Sequence, residues 1–172
     1  MSDVNLTTLT QGEKVLCWDF DKTLVQGKNA LIFRKFVMDN LDKEHHIITF
    51  RNSSAGMLNY LNERMGWNEN AIKSIVTLPP DLVDNFYRWN GRGMQWASEA
   101  IKNGNGNSRR YPNDNATAFD IVEAVEKAYE FKALATKSLG ARILVDDYYY
   151  ELLPHFKKHG LCLVDSLGDI SV

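Results

Sequence analysis

Residues 14–23 read KVLCWDFDKT, an apolar run, Val15-Leu16-Cys17-Trp18, that breaks abruptly into Asp19-Phe20-Asp21-Lys22-Thr23. A short unbroken apolar run of this kind suits a strand buried on both faces, as in a parallel sheet. The same pattern recurs downstream. Residues 46–50 (HIITF) predict a second strand, and residues 72–78 (IKSIVTL) a third that ends at Pro79-Pro80. Residues 141–145 (ARILV) predict a fourth, terminating in Asp146-Asp147, and residues 161–164 (LCLV) a fifth.

Helical stripes fall between these runs. Residues 30–41 place apolar side chains at 31, 33, 36, 37 and 41. A second helix is expected from a Ser53 or Ser54 cap through Met65 to Gly66. Residues 120–139 and 152–159 predict two more, stopped by Gly140 and Gly160. Strands alternating with helices give an α/β fold. The expectation is a doubly wound parallel sheet with Asp19 on a central strand, forming one domain over residues 1–172. Residues 81–118 break the alternation. They carry Trp89, Trp96, Tyr111, four arginines and the run Asn103–Asn107, and read as a small cap-like insertion after the third strand.

The bulk composition excludes several classes. Of 172 residues, 44% are hydrophobic, enough for an ordinary core, and 24% are charged. A net charge of −2 does not describe a general polyanion binder. The two cysteines, Cys17 and Cys162, sit in apolar runs and supply neither a disulfide framework nor metal spacing. No apolar stretch is long enough to span a bilayer. The segment Met1–Leu6 has no basic region followed by an apolar one, so a cytoplasmic protein is expected.

The chemistry gathers at two strand ends. In open α/β sheets ligands bind beyond the carboxyl ends of the strands. If the first and fourth strands are neighbours, Asp19, Asp21, Asp146 and Asp147 converge there. Carboxylates that close repel one another unless a cation neutralises them. Oxygen-only ligands favour Mg²⁺, which keeps water and substrate phosphate in its shell. A shielded carboxylate can attack phosphorus. Strand alternation turns Asp19 and Asp21 to the same side, so the second can serve as acid and base.

These segments resemble the motifs of the haloacid dehalogenase-like (HAD) superfamily of phosphohydrolases. Asp19–Thr23, followed by Leu24, is similar to its Asp-x-Asp-x-Thr motif. Ile47-Ile48-Thr49 resembles its second motif, and Ile143–Asp147 its fourth, an apolar strand ending in an acidic pair. The third motif is an upstream lysine, for which Lys132 and Lys137 are both candidates. The resemblance implies that Asp19 is the nucleophile and a Mg²⁺ ligand. It makes Asp21 the acid/base, with its backbone carbonyl on the metal. Thr49 and Lys132 would bind the transferred phosphoryl group, and Asp146 and Asp147 would hold Mg²⁺. The second aspartate of the first motif favours phosphoryl transfer over carbon–halogen cleavage.

Arg51 and Asn52, directly after Thr49, are candidate substrate contacts or parts of a loop leading into a helix. The arginines and aromatics of 81–118 suit either a substrate-facing cover or a small packed subdomain. Residues 24–48 leave no room for a large cap between the first two motifs. The expected activity is phosphomonoester hydrolysis through an aspartyl-phosphate, on a phosphorylated small molecule, a nucleotide or a nucleic-acid end. A phosphotransferase of the same fold, or an inactive phosphate- or nucleotide-binding protein, are the alternatives.

Overall fold

Five short parallel strands carry the molecule: β2 (Val15–Trp18), β3 (Glu44–Ile48), β4 (Ser74–Val76), β5 (Ile143–Asp146) and β6 (Cys162–Asp165). In the computed structural model, which describes residues 3–68 and 70–172, they lie in the order β4-β3-β2-β5-β6. The chain steps outward from β2 to β3 and β4, then returns to the other side of β2 for β5 and β6. Parallel crossovers are right-handed. Helices α2 (Ala30–Asp39) and α3 (Met57–Met65) therefore cover one face, and α7 (Tyr149–Lys158) with the last turns of α6 (Ala118–Ser138) the other. The direction of progression reverses between β2 and β5. That reversal is where ligand crevices form in such sheets.

Burial on both faces explains the unbroken apolar strands. Cys17, Ile48 and Leu144 are fully buried, and so are their neighbours on the opposite face, Trp18, Ile47 and Val145. Trp18 pairs in register with Ile47 and Val145, so one row of side chains crosses the sheet. That row packs with Phe33, Phe36 and Val37 of α2 and Met57 and Leu61 of α3. The Trp18 ring lies 5.6 Å from Phe33 and 6.0 Å from Phe36. Each fully buried Phe or Leu contributes roughly 1.5–3 kcal/mol.

His45 is part of this core. The Trp18 indole, which can only donate, gives its N–H to His45 Nδ1 at 3.1 Å. The imidazole proton therefore sits on Nε2 and is donated to Asn40 O at 2.8 Å. Burial lowers the basicity of His45, so the neutral ring is the one that fits. Burial also pushes the Cys17 thiol up to about 12, leaving it inert.

Several boundaries differ from the sequence reading. Neither Ser53 nor Ser54 caps α3 through its side chain. The N-cap is Gly56 in the left-handed region, and the Ser53 hydroxyl accepts from Ala55 N–H in a local turn. Helix α7 begins at Tyr149 rather than 152, and β5 extends one residue further, to Asp146. Three elements near the chain ends had no sequence signal. They are β1 (Val4–Asn5), paired in parallel with β7 (Ile170–Ser171), and α1 (Leu6–Leu9).

Residues 78–131 form a second compact unit, distinct from the one built by 1–77 and 132–172. The segment 81–118 lies within it. Its first part is helical, with α4 (Pro80–Trp89) and α5 (Arg92–Lys102), and turns over 103–117 lead into α6. Pro80 sits at the first turn of α4, where its missing N–H costs nothing. Within this unit Phe86 meets Tyr129 edge-on, and the Tyr129 hydroxyl donates to Asn90 Oδ1 at 3.0 Å. Arg88 pairs with Asp114. Among the described residues, no helix is long and apolar enough to cross a membrane.

Candidate active site

The reversal between β2 and β5 brings together residues that are far apart in the chain. Asp19 follows the last residue of β2, and its N–H donates to Val145 O at 2.8 Å, which extends the β2–β5 ladder. Asp146 closes β5. Carboxylate oxygens of Asp19, Asp146 and Asp147 lie within 4.8 Å of one another. Asp19 and Asp146 are buried, and Asp147 is half-buried.

One cation sits among them. Lys132, on α6, is 0% exposed, and its Nζ donates to Asp19 Oδ1 at 2.8 Å and Asp146 Oδ2 at 2.7 Å. Its third hydrogen bond goes to Ile48 O at 3.0 Å, the last carbonyl of β3. An ammonium has three donors, and all three are used. The Phe50 ring centroid is 4.3 Å from Nζ, a cation–π contact. Lys137, the other candidate, is exposed one turn further on.

The electrostatics follow from that geometry. Burial pushes Asp19 up to about 6; Lys132 opposes the shift and Asp147 adds to it. Burial also raises Asp146 to about 7, helped by the Asp19 charge and opposed by Lys132. Asp147 is raised too, chiefly by its own burial. Burial pulls Lys132 down, but Asp146 and Asp19 more than offset this and hold it above the ordinary lysine value. Three carboxylates share one ammonium, so full ionisation leaves an excess of negative charge in a buried site.

That excess, with an all-oxygen donor set, fits a hard divalent cation. Asp19 Oδ2 accepts a long hydrogen bond from the Thr23 hydroxyl at 3.5 Å. Asp146 Oδ1 accepts from Tyr148 N–H at 2.9 Å, which fixes the carboxylate plane. Asp147 completes the donor set.

The remaining sequence candidates lie around this cluster in different ways. Thr49 is buried just beyond β3, and its Oγ1 accepts from Arg51 N–H at 3.1 Å. The hydroxyl proton of Thr49 is therefore left for another acceptor. Asp21 does not join the acid cluster. Its carboxylate is gripped by Arg51 through Nε–Oδ2 and Nη2–Oδ1 bonds, both 2.8 Å. Asn52 is exposed. Lys22, which follows Asp21, adopts φ of 59° and is exposed.

A tight loop holds Asp21 there. Leu24 and Val25 N–H both donate to Phe20 O, at 3.0 and 3.1 Å, and Asp21 bridges to Val25. Two features of the site escape a sequence reading. The Phe50 ring beside Lys132 could have been suspected from its place after Thr49. The Asp21–Arg51 fork has no local signal, because the two residues come from different strand ends. Comparisons with protein-family models, curated proteins and solved structures find no match.

Proposed function

We propose that this chain is a Mg²⁺-dependent phosphomonoesterase of the HAD-like type, working through an aspartyl-phosphate on Asp19. The observation that carries the reading is the buried Lys132 bonded to both Asp19 and Asp146 at the sheet's switch point. A lone catalytic carboxylate has many explanations. A nucleophile-type aspartate, a counter-charge and a second acidic pair at adjoining strand ends have few.

Asp19, Asp146 and Asp147 would hold Mg²⁺, which when bound screens the phosphate from the attacking carboxylate. An Asp19 oxygen attacks phosphorus, and the bond to the leaving oxygen breaks. Asp21 gives that oxygen a proton, then removes one from the water that attacks the phosphoryl group and releases Asp19. Lys132 neutralises charge on the equatorial oxygens, and the Thr49 hydroxyl donates its remaining proton to one of them. The substrate class that suits the arginine beside the site is a nucleotide or a nucleic-acid end.

The decisive measurement is phosphate release from p-nitrophenyl phosphate and nucleoside monophosphates, with Mg²⁺ and with EDTA. Release should require Mg²⁺. Asp19→Asn, which keeps the size but removes the attacking charge, should lower turnover by at least ~10³-fold. Turnover near wild type in that variant would eliminate Asp19 as nucleophile.

A further inference from the structure

Beside Asp21 lies a cleft of about 210 Å³, formed wholly by the segments that follow β2 and β3. Its walls are Phe20, Val25, Met57 and Tyr60, and its polar rim is Asp21 and Arg51. Tyr60 stands edge-on to Phe20, with centroids 6.4 Å apart. The Arg51 guanidinium lies over the Phe20 ring at 4.9 Å. An aromatic wall with one planar cation suits a group that has both a flat apolar body and a negative charge.

The fork between Arg51 and Asp21 adds a constraint. Both oxygens of Asp21 are engaged, one by Nε and one by Nη2. A carboxylate gripped on both oxygens cannot serve a leaving oxygen until one bond opens. The pair is about half exposed, with side chains 47% and 48% accessible, so an incoming anion can reach it. Exposed ion pairs are worth little and exchange partners readily.

Resting on the phosphatase reading above, we infer that this cleft is the leaving-group subsite and that Arg51 recognises a second anion within the leaving group. The ligand class is a nucleotide that carries a phosphodiester as well as the scissile phosphate, that is, the phosphorylated end of a nucleic-acid strand. Its base lies against Tyr60 and the apolar wall, and its phosphodiester takes Arg51 from Asp21. Recognition and release of the acid/base are then one event. A mononucleotide, whose only phosphate is the scissile one, does not draw Arg51 away, so it waits on spontaneous opening of the fork and is cleaved more slowly.

The test compares a thymidine dinucleotide phosphorylated at one end with thymidine monophosphate, scoring the ratio of their kcat/KM values in wild type and variants. Wild type should favour the dinucleotide. Arg51→Gln should reduce that ratio at least ~10-fold, the size expected for one charged hydrogen bond, and Arg51→Lys should restore part of it. An unchanged ratio in a folded Arg51→Gln variant overturns the subsite while leaving the phosphatase standing. Equilibrium binding of the dinucleotide to Asp19→Asn, with and without Arg51→Gln, separates the two claims. Binding that needs Arg51, in a protein that hydrolyses nothing, keeps the subsite and discards the phosphatase. Binding indifferent to Arg51, in a protein without turnover, discards both.

Discussion

Lys132 is the residue on which the site's charge balance turns. Among the described residues it is the one cation paired with both buried carboxylates, and Asp147 lies beside them, so the cluster favours protons or a cation over full ionisation. Asp19 and Asp146 have folded values of about 6 and 7, against 3.8 for an ordinary aspartate. Each therefore binds its proton more tightly in the folded chain than in the unfolded one. The stability this adds is fully present below about pH 4 and is lost as pH rises from about 4 to 7. A divalent cation competes with those protons. The rise in melting temperature caused by Mg²⁺ should be small at pH 5 and several degrees larger at pH 8. Thermal melts with Mg²⁺ and with EDTA across that range check this. A Mg²⁺ effect independent of pH would mean that the ion binds elsewhere.

Among the elements, the loop after β2 decides whether Asp21 is held in place. It turns back on itself through Lys22 in the left-handed region, and Gly27 then passes directly over the Lys22 carbonyl. A Cβ on residue 27 would come within 2.1 Å of that oxygen, which is backbone and cannot swing aside. Gly27→Ala should cost about 1–3 kcal/mol of stability and displace the Asp21–Arg51 fork. Urea unfolding reads the first effect and phosphate release the second. A variant as stable and as active as wild type would show that the loop has room to spare. At this scale the sequence was a partial guide. The central strands were legible because burial on both faces demands unbroken apolar runs ending sharply at charged residues. Helix α4 was not, because Pro79-Pro80 reads equally as the end of a strand and the first turn of a helix. Its stripe, Leu82, Val83, Phe86 and Trp89, was present but short, and Gly91 and Gly93 follow it closely. The pairing of Val4 with Ile170 left no trace, since two-residue strands have no periodicity to detect.

For the whole molecule, the strand order sets where stability and chemistry reside. β2, β3 and β5 occupy the middle of the sheet, while β4 and β6 form its edges. Amide exchange should be slowest at Trp18, Ile47 and Leu144 and faster along β4, whose three residues are only half-buried. Hydrogen-exchange mass spectrometry measures this, and equal protection in β4 and β2 would contradict the assigned order. Three of the four acids of the candidate site, Asp19, Asp146 and Asp147, were legible because each lies at a strand end, whereas Asp21 was expected among them and pairs with Arg51 instead. The site was not legible in its pairings, which depend on which strands become neighbours. The bond from Lys132 to Asp19 joins residues 113 apart, and Asp146 enters from further along still. A ribosome that has delivered only the first two-thirds of the chain has thus produced the nucleophile's carboxylate but not its counter-charge. Whatever reaction this cluster performs begins as a property of the finished chain, and an activity assay on nascent protein would time the closing of its last central strand.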